Sequence, residues 1–223
     1  MQQIISLVML FLTLGQATLS SYTAEMNPGG RLVLINRDYV LSSTYKPDDL
    51  VMPDVERASD AVMMRREAAE ALEEMFDAAQ NEAGLTLVAI SGFRSYSKQA
   101  AIHQKKVENI GKKAANRVSA PPGASEHQLG LAMDLCTTYD HSLEERFADT
   151  PEGQWVAANC GRFGFIIRYK TEWEDITGYM NEPWHVRYVG REHAEIIQEM
   201  NIPLEYYVAA LKDETLQQIL NRP

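Results

Sequence analysis

The chain has 223 residues, 45% of them hydrophobic and 23% charged, which places it in the ordinary globular range with apolar material for one full core. Its formal net charge of -10 excludes a sequence-independent grip on nucleic acid, which needs clustered lysine and arginine to displace counterions. Two cysteines, Cys136 and Cys160, are too few for a disulfide scaffold or a four-thiolate zinc site, so a metal here has to be held mainly by histidine and carboxylate.

The N-terminal run IISLVMLFLTL, Ile4 to Leu14, is shorter than the about 20 residues of a bilayer span but long enough for a signal-peptide core. Gly15 and Ala17 follow with the spacing of a signal-peptidase site, although no basic residue precedes the run. Residues 1–17 are thus expected to be a signal segment and 18–223 a single domain without a membrane span. LVLIN (Leu32 to Asn36) reads as a short strand and Tyr45 to Pro53 as an irregular crossing segment. From Ser59 to Ala83 the spacing of Val62, Ala69, Leu72, Met75, Phe76 and Ala79, with Gly84 beyond, predicts an amphipathic helix and its stop.

LTLVAIS (Leu85 to Ser91) is a buried strand, and Ser97 to Ile110 a second helix ended by Gly111. RVSAPPGASE (Arg117 to Glu126) cannot continue a helix and reads as an ordered loop. LAMDL (Leu131 to Leu135) is a strand, and Thr150 before Pro151 caps a helix that Gly161 stops. FGFIIRY and WHVRYVG are two further strands, and helices from about Arg191 and Leu204 close the chain. Strands and helices mix without regular alternation, which predicts an α+β fold with a mainly antiparallel central sheet flanked by helices.

Three segments concentrate the chemistry: SGFRSYSKQ (Ser91 to Gln99), SEHQLGLAMD (Ser125 to Asp134) and EPWHVRYVG (Glu182 to Gly190). A catalytic zinc takes three His or carboxylate ligands and keeps a fourth position open, and His127, Asp134 and His185 form an adequate set if a turn at Gly130 brings the first two together. Glu182, three residues before His185 and kept from helical backbone by Pro183, is placed to act as a general base. HExxH is absent, so a helical zincin site is excluded. His103, His141 and His193 read as surface or capping residues, Trp184 and Tyr188 as core, Trp155 and Trp173 as anchors of a helix and a loop, and Gly92 and Gly130 as relief of backbone strain.

SEHQLGLAMD followed by EPWH resembles the pattern Ser-x-His-x-x-Gly-x-Ala-x-Asp and Glu-Pro-Trp-His of the VanY-type D-alanyl-D-alanine carboxypeptidases, in the wider group of zinc peptidases that shares the hedgehog fold. The similarity runs from about Leu32 to Tyr188. It implies one zinc per chain on His127, Asp134 and His185, with Glu182 as the base. It also implies that Arg94 serves catalysis and substrate binding, and that Gln99 and Ser125 line the substrate pocket. Lys170 departs from the proline that many relatives carry after Arg-Tyr, which bears on Arg168 and Tyr169.

The expected substrate is a peptidoglycan stem peptide losing its C-terminal D-alanine, the D,D reaction, by a monomeric protein exported to the periplasm or cell wall. L,D-carboxypeptidase action on tetrapeptide stems, a non-catalytic zinc-containing wall-binding module, and a sugar hydrolase using Asp134 and Glu182 are the alternatives. The retained Glu182 speaks against the binding module, and two histidines beside the acids speak against the sugar hydrolase. Ser91, Ser95 and Ser125 lack an SxxK arrangement, against a penicillin-binding serine mechanism. Cys136 and Cys160 are expected either paired or buried and free.

Overall fold

The computed structural model describes residues 30–212; the apolar run and expected cut at Ala17 lie outside them. Two short antiparallel strands, β1 (Leu50–Val51) and β2 (Met64–Arg65), lead into helix α1 (Arg66–Ala83). Then follow β3 (Leu87–Ser91), α2 (Tyr96–Ile110), α3 (Lys112–Val118), β4 (Ala132–Thr137) and α4 (Pro151–Asn159). The chain continues with β5 (Phe165–Tyr169), a one-turn α5 (Glu174–Thr177), β6 (Glu182–Tyr188), α6 (Arg191–Met200) and α7 (Leu204–Lys212). The main sheet has the order β3-β4-β6-β5 with every neighbouring pair antiparallel, the α+β arrangement expected from the sequence. No helix among the described residues is long and apolar enough to cross a membrane.

The sheet has two differently used faces. Leu72, Met75 and Phe76 of α1 pack with Leu87, Met133, Leu135, Phe165 and Val186 of the strands and Val156 of α4 in the main core. Strand side chains alternate between faces, so the burial of Met133 and Leu135 on one side turns Asp134 to the other, and Trp184 and Val186 do the same for His185. A second apolar cluster joins Ile166 and Val189 to Ala194, Ile196 and Ile197 of α6 and to Leu204, Tyr207, Val208 and Leu211 of α7.

Several elements differ from the sequence reading for identifiable reasons. LVLIN is buried but forms no strand, because the Arg187 guanidinium takes the Arg31 and Val33 carbonyls at 2.7 and 2.9 Å in place of a strand partner. The helix expected from Ser59 begins only at Arg66, since Met64 and Arg65 pair with Val51 and Leu50. Lys112–Val118, read partly as loop, is a separate short helix after Gly111. The stop expected at Gly161 comes at Gly164, after a tight turn over Cys160–Phe163; a Cβ at Gly161 would lie 2.0 Å from the Gln198 amide oxygen, the end of a flexible side chain of α6. His103 and His193 are buried rather than on the surface: His103 donates to the Ser119 carbonyl at 3.1 Å and His193 bonds the Tyr207 hydroxyl at 2.7 Å. Cys136 and Cys160 are buried free thiols.

Candidate metal centre

The site begins at the end of β3. A Cβ at Gly92 would meet the Met63 carbonyl at 2.1 Å, so crowding rather than backbone strain selects glycine there. The Gly92 carbonyl accepts from His127 Nδ1 at 2.7 Å. A carbonyl can only accept, so the His127 proton sits on Nδ1 and Nε2 keeps its lone pair for a ligand. His127 rides on a tight turn over Glu126–Leu129 that Gly130 closes with a left-handed φ of 70°. This reversal starts β4 and delivers Asp134 beside the histidine it follows.

Asp134 and His185 are direct partners across β4 and β6. His185 Nδ1 stands 3.0 Å from Asp134 Oδ1, and His127 Nε2 stands 3.2 Å from Asp134 Oδ2. The three residues are buried and their ligand atoms lie within 4.8 Å of one another. Zinc bonds of about 2 Å place the donors of a tetrahedral site roughly 3.3 Å apart, so the two imidazole nitrogens and the carboxylate fit that metal. Among the described residues this is the one group of three such side chains gathered for a metal.

Glu182 lies beside the set, with a carboxylate oxygen 3.8 Å from His185 Nδ1. Burial, aided by the Asp134 and Glu126 charges, pushes its pKa up to about 7. The two histidines diverge: burial and the Arg94 charge drive His127 down to about 4, whereas for His185 burial is outweighed by Asp134 on Nδ1 and by the nearby carboxylates of Glu126 and Glu182, which hold it up to about 9. Burial opposes ionisation of Asp134, yet His127, His185 and Arg94 hold it well below the usual carboxylate range.

Arg94 donates to Asp134 Oδ2 at 3.0 Å and to the Gln99 amide oxygen at 3.1 Å. Gln99 in turn donates to the Ala120 carbonyl at 2.6 Å, tying the arginine to the loop that closes the cleft. Its position on α2 is set by Ser95, whose hydroxyl caps the helix by accepting from the Lys98 N–H. Ser125 is buried and lines the same cleft. All seven residues named from the sequence therefore converge on one cavity of ≈ 230 Å³, walled also by Ile102, Leu143, Tyr169, Tyr179 and Trp184. Beyond Arg94 and Leu143 a groove of ≈ 660 Å³ continues past Phe93, Ser95 and Lys98, giving an extended ligand room outside the cavity.

The sequence reading missed a layer behind the ligands. Glu126 is fully buried; its Oε1 accepts from Arg168 Nε at 2.9 Å and Arg187 Nη1 at 2.6 Å. These guanidiniums outweigh the burial penalty and hold the carboxyl far below its ordinary pKa. Arg168, which the Lys170 departure had put in question, is clamped between Glu126 and Glu205 of α7, and Tyr169 packs its ring 5.1 Å from that of His185. Seven buried side-chain polar atoms among the described residues have no hydrogen bond; two of them, on Arg94 and Tyr179, belong to residues that wall the cleft, and two more, His185 Nε2 and Glu126 Oε2, face each other behind it.

The chain is similar to proteins of known kind along most of its length. The family model described as VanY, D-alanyl-D-alanine carboxypeptidase, matches residues 61–191. YodJ of Bacillus subtilis strain 168 is 46% identical over 191 residues, covering 83% of this chain and 70% of its own length. The structure of LdcB, an LD-carboxypeptidase described for peptidoglycan recognition, matches with a TM-score of 0.77 and 46% identity over 82% of this chain and 87% of LdcB. A mutant of the vancomycin-resistance D,D-pentapeptidase VanY, solved in complex with Zn(II), matches with a TM-score of 0.66 and 35% identity over 80% of this chain and 98% of its own.

Proposed function

The chain belongs to the VanY family of D-alanyl-D-alanine carboxypeptidases, and from that premise we propose that it releases the C-terminal D-alanine of peptidoglycan stem peptides, acting on tetrapeptide stems as an L,D-carboxypeptidase. The observation that carries the hydrolytic reading is the gathering of His127, Asp134 and His185 beside a buried Glu182. Similarity to LdcB, at 46% identity and a TM-score of 0.77, supports L,D action. The D,D reaction expected from the sequence is the second reading, supported by the match to VanY at 35% and 0.66.

His127 Nε2, Asp134 and His185 Nδ1 would hold the zinc, which would supply Lewis acidity toward the scissile carbonyl and lower the pKa of a water toward about 7. Glu182, buried beside the set with a carboxylate oxygen 3.8 Å from His185 Nδ1, takes the proton of the attacking water and passes it to the leaving amine. Gln99 and Asp134 fix two nitrogens of the Arg94 guanidinium, so its charge faces the developing oxyanion or the substrate's terminal carboxylate without reorganising. Ser125 adds a hydroxyl on the pocket wall. A wall substrate lies outside the cytoplasm, so export belongs to the same proposal, and N-terminal sequencing of the mature protein tests it; an intact Met1 contradicts it.

Mass spectrometry of synthetic tetra- and pentapeptide stems after incubation with zinc-loaded protein tests the function. Loss of one alanine from the tetrapeptide supports the L,D reading, and trimming of the pentapeptide alone transfers it to D,D. Two intact peptides overturn both.

A further inference from the structure

The two histidines of the metal set face the metal through different nitrogens. His127 is fixed in its tautomer by the Gly92 carbonyl on Nδ1. His185 points Nδ1 at Asp134, so its Nε2 faces the opposite way, into the protein. There it has no hydrogen bond, and the group facing it is Glu126 Oε2, 3.5 Å away, which also has none. We infer that Glu126 is the positioning residue for His185: its Oε2 holds the imidazole proton on Nε2 and so presents the Nδ1 lone pair to the metal. The assignment rests on the zinc-peptidase reading above.

The surroundings of Glu126 leave that oxygen little other use. Its Oε1 takes both guanidinium bonds, from Arg168 and Arg187. Each arginine is anchored elsewhere: Arg187 on the Arg31, Val33 and Tyr188 carbonyls, and Arg168 on Glu205 through both terminal nitrogens. The carboxylate is thus held from behind in a fixed orientation with one oxygen spare. A gap of 3.5 Å is longer than a formed hydrogen bond, and a small rotation of the imidazole toward Glu126 closes it. A carboxylate accepting from the second nitrogen of a ligating histidine orients the ring and raises its basicity. One tight turn, Glu126–Leu129, then supplies a ligand directly through His127 and positions another through Glu126.

The test compares wild type, Glu126→Gln, Glu126→Asp and Glu205→Gln for zinc dissociation constant by chelator competition and for the visible spectrum of the cobalt(II) form. Glu126→Gln is expected to bind zinc about 10–100-fold more weakly and to shift the cobalt bands. Glu126→Asp keeps a charge for the two arginines but draws it back by one carbon, so it is expected to weaken zinc in the same direction and decides the matter if Glu126→Gln does not fold. Glu205→Gln breaks only the outer bond to Arg168 and is expected to lose thermal stability with zinc affinity unchanged. A folded Glu126 variant with wild-type zinc affinity and cobalt spectrum overturns the assignment. The wild-type zinc protein gives a check free of any variant: ¹⁵N imidazole shifts are expected to show His185 protonated on Nε2, and a metal-ligated Nε2 overturns the proposal. Failure of the wild-type protein to bind zinc would instead bring down the peptidase reading, and this inference with it.

Discussion

At one end of the sheet face opposite α1, around Asp134 and His185, the buried side chains are mostly ionisable; at the other, under α6 and α7, they are almost all apolar. The first region buries Glu126, His127, Asp134, Arg168, His185 and Arg187 at 3% exposure or less. Several kcal/mol of desolvation oppose each unpaired ion of that kind, and the arrangement persists because each charge faces another. In the second region the ionisable His193 is neutral and bonded to the Tyr207 hydroxyl, amid leucine, isoleucine and valine. The Arg168–Glu205 pair joins the two regions. The contrast teaches that in this fold burial alone does not mark function: among the described residues the first region keeps polar atoms left over after pairing, on Arg94, Glu126, Tyr179 and His185, and the second keeps none.

The sharpest way to break the comparison is Glu182→Gln. The amide cannot accept the water's proton, so turnover is expected to fall about 10²–10⁴-fold while elemental analysis still finds one zinc per chain. Near wild-type turnover would remove Glu182 from the chemistry. Arg94→Ala follows, with an expected loss of about 10²–10³-fold on a free-acid peptide. Comparing that peptide with its C-terminal amide separates roles: equal slowing of both assigns Arg94 to the oxyanion, and slowing of the acid alone assigns it to the terminal carboxylate.

The smallest effect belongs to the apolar region. Burial, with the nearby Arg31 charge adding, pulls His193 from 6.5 down to about 4. Between these values the unfolded chain binds the proton and the folded one does not, so stability falls as pH drops through that window and is flat above it. The contribution reaches about 3 kcal/mol at most. His193→Gln is expected to flatten this part of the stability–pH profile without changing zinc affinity. An unchanged acid slope would show that His193 does not carry it.

What could be read in the sequence follows from how local each signal is. His127, Asp134, Glu182 and His185 stood out because they lie within short segments whose strand character is explicit, as in LAMDL and WHVRYVG, and because two histidines with a carboxylate are a sufficient zinc set. Glu126 was adjacent to a ligand and still passed unnoticed: a glutamate after serine at a turn reads as a solvated residue, and its partners Arg168 and Arg187 lie 42 and 61 residues away. LVLIN has the composition of a strand, yet a guanidinium from β6 takes the Val33 carbonyl and that of Arg31 just before it, which no local pattern reports. His193 was misplaced for the same reason, since its cover comes from α7, 14 residues further on.

In the proposed mechanism one zinc on His127, Asp134 and His185 makes this cleft a carboxypeptidase. Its most direct test is to strip the protein with chelator, titrate zinc back, and follow stem-peptide hydrolysis against bound metal. The expected result is no turnover in the stripped protein and recovery in proportion to zinc up to one per chain, with no recovery in His185→Ala at the same zinc concentration. Full hydrolysis by protein shown by elemental analysis to be metal-free would contradict the account.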